Sequence, residues 1–111
     1  MYAIAFDLDV KVLEEKHETH QSIAYGKIER FLRKRGFSRQ QGSVYFGDPE
    51  KVNSVTCSLA VVELSREFPW FSPSVRDIRM LRIEENNDLK PAVNVGVDLT
   101  STIKSSYEKR H

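Results

Sequence analysis

FSRQQGSVYFGD, residues 37–48, holds two short extended runs broken near Gly42, with a helical pattern on either side of it. That placement decides the fold. Two strands back to back between two amphipathic helices turn the order of elements into β-α-β-β-α-β. Inside the stretch Val44 and Phe46 share one face of a strand, while Ser43 and Tyr45 share the other.

Working outward, the pattern from about Thr19 to Lys34 is helical, with Ala24, Ile28, Phe31, Leu32 and Arg35 at spacings of three and four. Gly36 stops that helix behind Arg33, Lys34 and Arg35, cations that suit a helix C-terminus. On the other side, Asp48 reads as an N-cap, with Pro49 at the first position of a helix over 49–67. Its apolar stripe is read as Val52, Val55, Leu59 and Val62, widened by Val61, Leu64 and Phe68. FPWFSPS, residues 68–74, ends it with two prolines.

The outermost strands close the pattern. YAIAFDL, residues 2–8, puts Tyr2, Ile4, Phe6 and Leu8 on a large face and Ala3, Ala5 and Asp7 on a small one. SVRDIRMLRIEE, residues 74–85, alternates imperfectly, as a bulge or a pairing edge would cause. Residues 10–19 are charged and read as a loop or a frayed helix start. The economical assembly is α+β: a four-stranded antiparallel sheet with two helices on one face, the ferredoxin-like architecture. It occupies residues 1–88. Residues 89–111 read as a C-terminal extension: a loosely attached strand, an arm onto a neighbour, or partly disordered.

The chain has 111 residues, about the size of one domain. At this length only about two-thirds of the unfolded surface is buried, so dimerisation would help. A formal net charge of +1 argues against an overall basic coat but leaves room for a local phosphate-binding patch. The single cysteine, Cys57, makes no disulfide within the chain, so a reducing cytosol is the default compartment. The apolar run at the N-terminus is too short for a membrane helix and ends in acid.

Acids at the end of a buried strand point to chemistry. The D-x-D of Asp7 and Asp9 resembles the first motif of the haloacid dehalogenase superfamily, but Val10 and Lys11 stand where that motif has Gly and Thr. Glu84-Glu85 is the only adjacent acidic pair late in the chain that follows a strand, and GDPEKV lacks the second Asp of the usual late motif. Asp9 therefore reads as a plain loop acid. His17 and His20 form H-x-x-H without a convincing further pair of zinc ligands. Cys57 reads as a small buried helix residue, and Trp70 as a plug for the core end or a subunit contact.

MYAIAFDL, QQGSVYFGD and SVRDIRMLRIEE together resemble the three signature blocks of the virulence-associated protein D family, over residues 1–88. The resemblance implies a ferredoxin-like homodimer related to the small CRISPR adaptation subunit. It also implies a cytosolic endoribonuclease that in some genomes is the toxin of a toxin–antitoxin pair, with RNA as substrate and a cognate antitoxin protein as partner. Asp7 occupies the position of the carboxylate that ends the first strand in that fold. Ser43 and Tyr45 lie in the matching GSVY stretch, and Arg76 and Arg79 in SVRDIR.

These assignments give Asp7, Ser43 and Tyr45 as candidate catalytic residues. Asp7 would either bind magnesium or act as a general base, its pKa raised by a second Asp7 across a dimer axis. The small face of the first strand, if it is the dimer face, would bring both copies of Asp7 to the seam. Competing structural readings are a cap or ion pair for Asp7, turn hydrogen bonding for Ser43 and core packing for Tyr45. Arg35, Arg39, Arg76 and Arg79 are the candidate nucleic-acid contacts. Arg35 and Arg39 belong to a basic stretch with Lys27, Arg30, Arg33 and Lys34, which reads either as a phosphate track or as a solvated helix face. Arg76, Arg79 and Arg82 either hold phosphate or pair with Asp77 and Glu84. The alternative to an enzyme is a dimeric module that binds nucleic acid or an antitoxin without catalysis.

Overall fold

A computed structural model describes residues 1–99 of the chain. Strand β1 (Tyr2–Leu8) lies inside the sheet, between β3 (Val44–Gly47) and β4 (Val75–Arg82), with β2 (Phe37–Gln41) beyond β3. The order β2-β3-β1-β4 is antiparallel throughout, which makes the fold ferredoxin-like. Ile4 pairs with Tyr45 on one side and Met80 on the other, so these three residues share a face. That face carries Ile4, Phe6, Leu8 and Tyr45 into the core.

Two long helices cover it. α2 (Gln21–Arg33) buries Ala24, Ile28 and Leu32, the apolar positions its spacing foretold. α3 (Ser54–Glu67) corrects the reading of its own stripe: the buried residues are Cys57, Ala60 and Leu64, while Val55, Leu59 and Val62 are exposed. Cys57 and Ala60 are small, which lets that part of the helix lie close to the sheet. α3 also starts later than residue 49. Asp48 organises a turn, accepting from the Glu50 N–H, and the helix begins at an Asn53–Thr56 capping box.

Two further short helices close the end of the sheet where β1 finishes. α1 (Val10–His17) decides between the loop and the frayed helix start expected there, as a helix that Asp9 caps, with Leu13 buried beneath it. α1 packs on α4 (Phe71–Ser74), which follows the two-proline stretch. Trp70 stacks on Phe68 at 5.0 Å and plugs this region, as its sequence setting suggested. Residues 90–99 are helical and begin with the Asp88 carboxylate accepting from the Lys90 N–H. The alternation of Val93, Val95, Val97 and Leu99 suits a strand, and as a helix it leaves all four exposed. The remainder of the extension lies outside the described residues.

Candidate functional site

The opposite face of the sheet carries no helix among the described residues. Alternation along β1 puts Ala3, Ala5 and Asp7 there. The register adds Phe46 and Val44 from β3, and Leu81, Arg79 and Asp77 from β4. The result is a shallow surface, apolar at one end and charged at the other.

At the charged end Asp7 faces Asp77 directly across the ladder. Like charges directly opposite destabilise a sheet. Asp77 has compensation: its Oδ2 accepts from Nε of Arg79 at 3.0 Å, along its own strand. Asp9, just past the strand end, is also engaged. Its Oδ1 accepts from the Val12 N–H at 3.1 Å and its Oδ2 lies 3.2 Å from Arg76. Those contacts, the Val12 N–H first, hold the Asp9 carboxyl below the ordinary carboxylate range. Asp9 is thus a helix cap with an ion pair, not a plain loop acid. Asp7 is exposed, and no hydrogen bond or ion pair engages its side chain among the described residues.

A β-bulge explains the geometry at this end. The register slips between Asp7, opposite Asp77, and Leu8, opposite Val75. Arg76 is the extra residue, and the bulge turns it toward Asp9. Both readings offered for the imperfect alternation of β4 hold, because it is an edge strand and also bulged.

Ser43 and Tyr45 belong to the other face. The Ser43 carbonyl accepts from the Phe6 N–H, one residue from Asp7, but its hydroxyl donates to the Tyr25 hydroxyl at 2.8 Å. Tyr45 is fully buried, its ring stacked 5.7 Å from that of Phe6. Its hydroxyl has no hydrogen-bond partner among the described residues, and burial pushes its pKa up to about 12. Within one protomer the sheet therefore separates Asp7 from Ser43 and Tyr45.

The four candidate arginines are equally scattered, and each one is paired. Arg35 binds Glu63 at 2.6 Å, with its guanidinium 3.6 Å over the Phe31 ring. Arg39 donates to the Gly42 carbonyl and lies 3.8 Å from Glu29. Arg76 and Arg79 hold Asp9 and Asp77. Only Arg79 shares the open face with Asp7. Asp77 is the residue the sequence reading passed over as a site candidate; only the strand register places it opposite Asp7. Tyr25 is the other, and its spacing from Ile28 gives no hint of its bond to Ser43. Among the described residues no three His, Cys, Asp or Glu side chains gather into a metal-binding group. His20 caps α2, accepting from the Ser22 N–H. Burial pushes the Cys57 thiol up, as befits a core cysteine.

The chain is 50% identical over 95 residues to an endoribonuclease VapD homolog of Helicobacter pylori, covering 86% of this chain and 98% of that protein. It is 49% identical over 96 residues to endoribonuclease VapD 2 of Riemerella anatipestifer, covering 85% and 100%. The chain belongs to the VapD family. A third VapD relative, the endoribonuclease VapD homolog of Neisseria gonorrhoeae, is 44% identical over 93 residues, covering 84% and 98%. No protein-family model matches the chain. The VapD resemblance read from the three sequence blocks is thereby borne out, and the ferredoxin-like fold agrees with it. Among the described residues no helix is long and apolar enough to cross a membrane.

Proposed function

We propose that this VapD-family chain is an endoribonuclease that cleaves RNA phosphodiester bonds on the open sheet face, with Asp7 at the centre of the chemistry. One observation carries the reading. Asp7 is an exposed, unpartnered carboxylate set directly against a second carboxylate, an arrangement that costs stability and has no structural return. Relatives named as endoribonucleases over nearly their whole length support the substrate class.

Asp7 activates the nucleophile, water or a 2′-hydroxyl, as a general base or through a magnesium ion. The donor set fits magnesium, which takes one or two carboxylates and fills its remaining positions with water and substrate phosphate. Asp7 and Asp77 would hold it; when bound it supplies charge neutralisation at the phosphate. Arg79, fixed by Asp77, is the nearest cation on the same face for the developing phosphorane charge. Ala3, Ala5, Val44, Phe46 and Leu81 form the apolar part of that face and suit a second copy, which would bring two Asp7 residues to one seam. We place the protein in the cytosol as the toxin of a toxin–antitoxin pair, with an antitoxin protein as partner.

The test is incubation of the purified protein with labelled RNA, with and without magnesium, beside Asp7→Asn. Loss of about 100-fold or more in the Asn variant, with unchanged or raised thermal stability, is the expected result. Cleavage that survives the change would move the chemistry away from Asp7. Binding without cleavage by the unaltered protein would make the face a non-catalytic module.

A further inference from the structure

A cleft of ≈ 380 Å³ opens on the helix side of the molecule, between the C-terminal ends of α2 and α3. Lys27, Arg30, Lys34 and Arg35 line it, over a floor of Phe31 and Phe68. Glu67 is its single acid. In a chain of net charge +1 this is a marked local excess of positive charge.

Three of those cations are unspent. Lys27, Arg30 and Lys34 are exposed and make no ion pair or side-chain hydrogen bond among the described residues. The arginines of β4, by contrast, are held by Asp9, Asp77 and Glu84. Helix-dipole compensation accounts for cations in the last turn of α2, but Lys27 lies well before that turn. The spacing i, i+3, i+7 puts all three on one helix face, rising about 4.5 and 10.5 Å from the first. That is a row of charges, which suits a row of phosphates.

The floor is aromatic. Phe31 and Phe68 meet edge to face at 5.8 Å, and Trp70 backs Phe68 at 5.0 Å. The Arg35 guanidinium carbon sits 3.6 Å from the centre of the Phe31 ring, and the group is held by Glu63 and by the Phe31 carbonyl. A guanidinium so held is less a phosphate clamp than a stacking surface for an unpaired base.

We infer that this cleft is a second RNA-binding site, taking the phosphates of single-stranded RNA along Lys27, Arg30 and Lys34 with a base against Arg35. The inference rests on RNA being the substrate, and deepens that reading by adding a contact surface away from the chemistry. α2 and α3 cover the sheet face opposite Asp7, so one strand engages both sites only by passing around the edge of the sheet. Long RNAs gain from the second site; short ones do not.

The experiment measures binding of fluorescent single-stranded RNA of about 30 nucleotides, longer than one such site covers. The full chain carries Asp7→Asn so that no cleavage intervenes. The comparison protein adds Lys27→Ala, Arg30→Ala and Lys34→Ala, all at exposed positions, and a thermal melt checks that it folds. Three lost phosphate contacts make the slope of log affinity against log salt shallower by about 2. Between 50 and 200 mM salt the comparison protein then loses roughly twenty-fold less affinity than its parent. An unchanged slope in a folded triple variant overturns the second site, whatever the cleavage assay gives. Equal competition by a poly-glutamate peptide at the same three residues also overturns it, by making the cleft a site for acidic protein. Failure of the unaltered protein to cleave RNA, with the slope change intact, would strike the activity and spare the site.

Discussion

Replacing Tyr45 by Phe separates the two roles its position allows. The ring stacks on Phe6 inside the core, and the hydroxyl is buried with no hydrogen-bond partner among the described residues. An orphaned buried hydroxyl costs about 1–3 kcal/mol. Removing it leaves a gap of one oxygen, worth under about 0.5 kcal/mol at the usual price per cavity volume. The variant is therefore expected to gain roughly 1 kcal/mol or more at pH 7, a rise in Tm of about 4–8 °C. Burial, the largest influence, raises the phenol from its ordinary 10.0 to about 12. The folded state thus favours the neutral form. That contribution is complete below pH 10 and is lost as pH climbs through 12. Two units correspond to about 2.7 kcal/mol over the whole titration, of which the variant's advantage gains roughly 2 kcal/mol between pH 10 and pH 12. Urea unfolding of both proteins across this range reads the difference directly. RNA cleavage by Tyr45→Phe at neutral pH should match the parent. A variant less stable at pH 7, with no divergence at alkaline pH, would refute the burial argument. A folded, equally stable variant losing about 100-fold in cleavage would return Tyr45 to the chemistry.

Gly47→Ala should destabilise by about 1–3 kcal/mol, measured by chemical denaturation. A Cβ there would meet Val52 at 2.8 Å and the Tyr2 carbonyl at 2.9 Å, and the backbone cannot yield cheaply. On α3, Leu64→Ala should cost about 2–5 kcal/mol, while Leu59→Gln should stay within about 0.5 kcal/mol of the parent; the reverse ranking would restore the outer stripe as the core face. Asp9→Ala removes the α1 cap and the Arg76 pair and should lower Tm by a few degrees at neutral pH. Because the Asp9 pKa is depressed, its stabilisation is present above the ordinary value of 3.8 and fades as pH falls below it. The gap between parent and variant should therefore close in acid, as thermal melts from pH 7 down to pH 2 would show.

Much of this architecture was legible in the residues because it is local. The alternation of β1, the break at Gly42 and the stripe of α2 each lie within a dozen positions, and each formed as read. α3 defeated the same logic because it is apolar on two sides: Val55, Leu59 and Val62 compete with Cys57, Ala60 and Leu64, and neighbours decide which set is buried. α1 stayed open between a loop and a frayed helix start, although Asp9, Val10, Leu13 and His17 carry a cap and helical spacing; its charged surface masked a short apolar edge. The opposition of Asp7 and Asp77 was beyond reach. It depends on a register separated by seventy positions and reset by a bulge at Arg76, and neither leaves a local trace.

The sheet itself limits what one protomer can do. Side chains alternate, so Asp7 cannot share a surface with Ser43 or Tyr45 without a slip of register that would also turn Phe6 out of the core. On the proposed function, chemistry on the open face of one protomer draws on Asp7, Asp77 and Arg79, two carboxylates and one cation already held by one of them. That set can activate a nucleophile and orient a phosphate, but it leaves little positive charge to offset the phosphorane. The shortfall makes specific demands on what meets the face: a divalent ion, or cations brought by a second copy. Arg76, exposed at the bulge and paired with Asp9, is the β4 cation beside the charged end of that face. Arg76→Ala should then reduce cleavage more than it reduces stability, whereas Arg82→Ala, at the far end of the same strand and paired with Glu84, should change neither. Equal loss from both would mean that β4 contributes general positive charge and not a placed group.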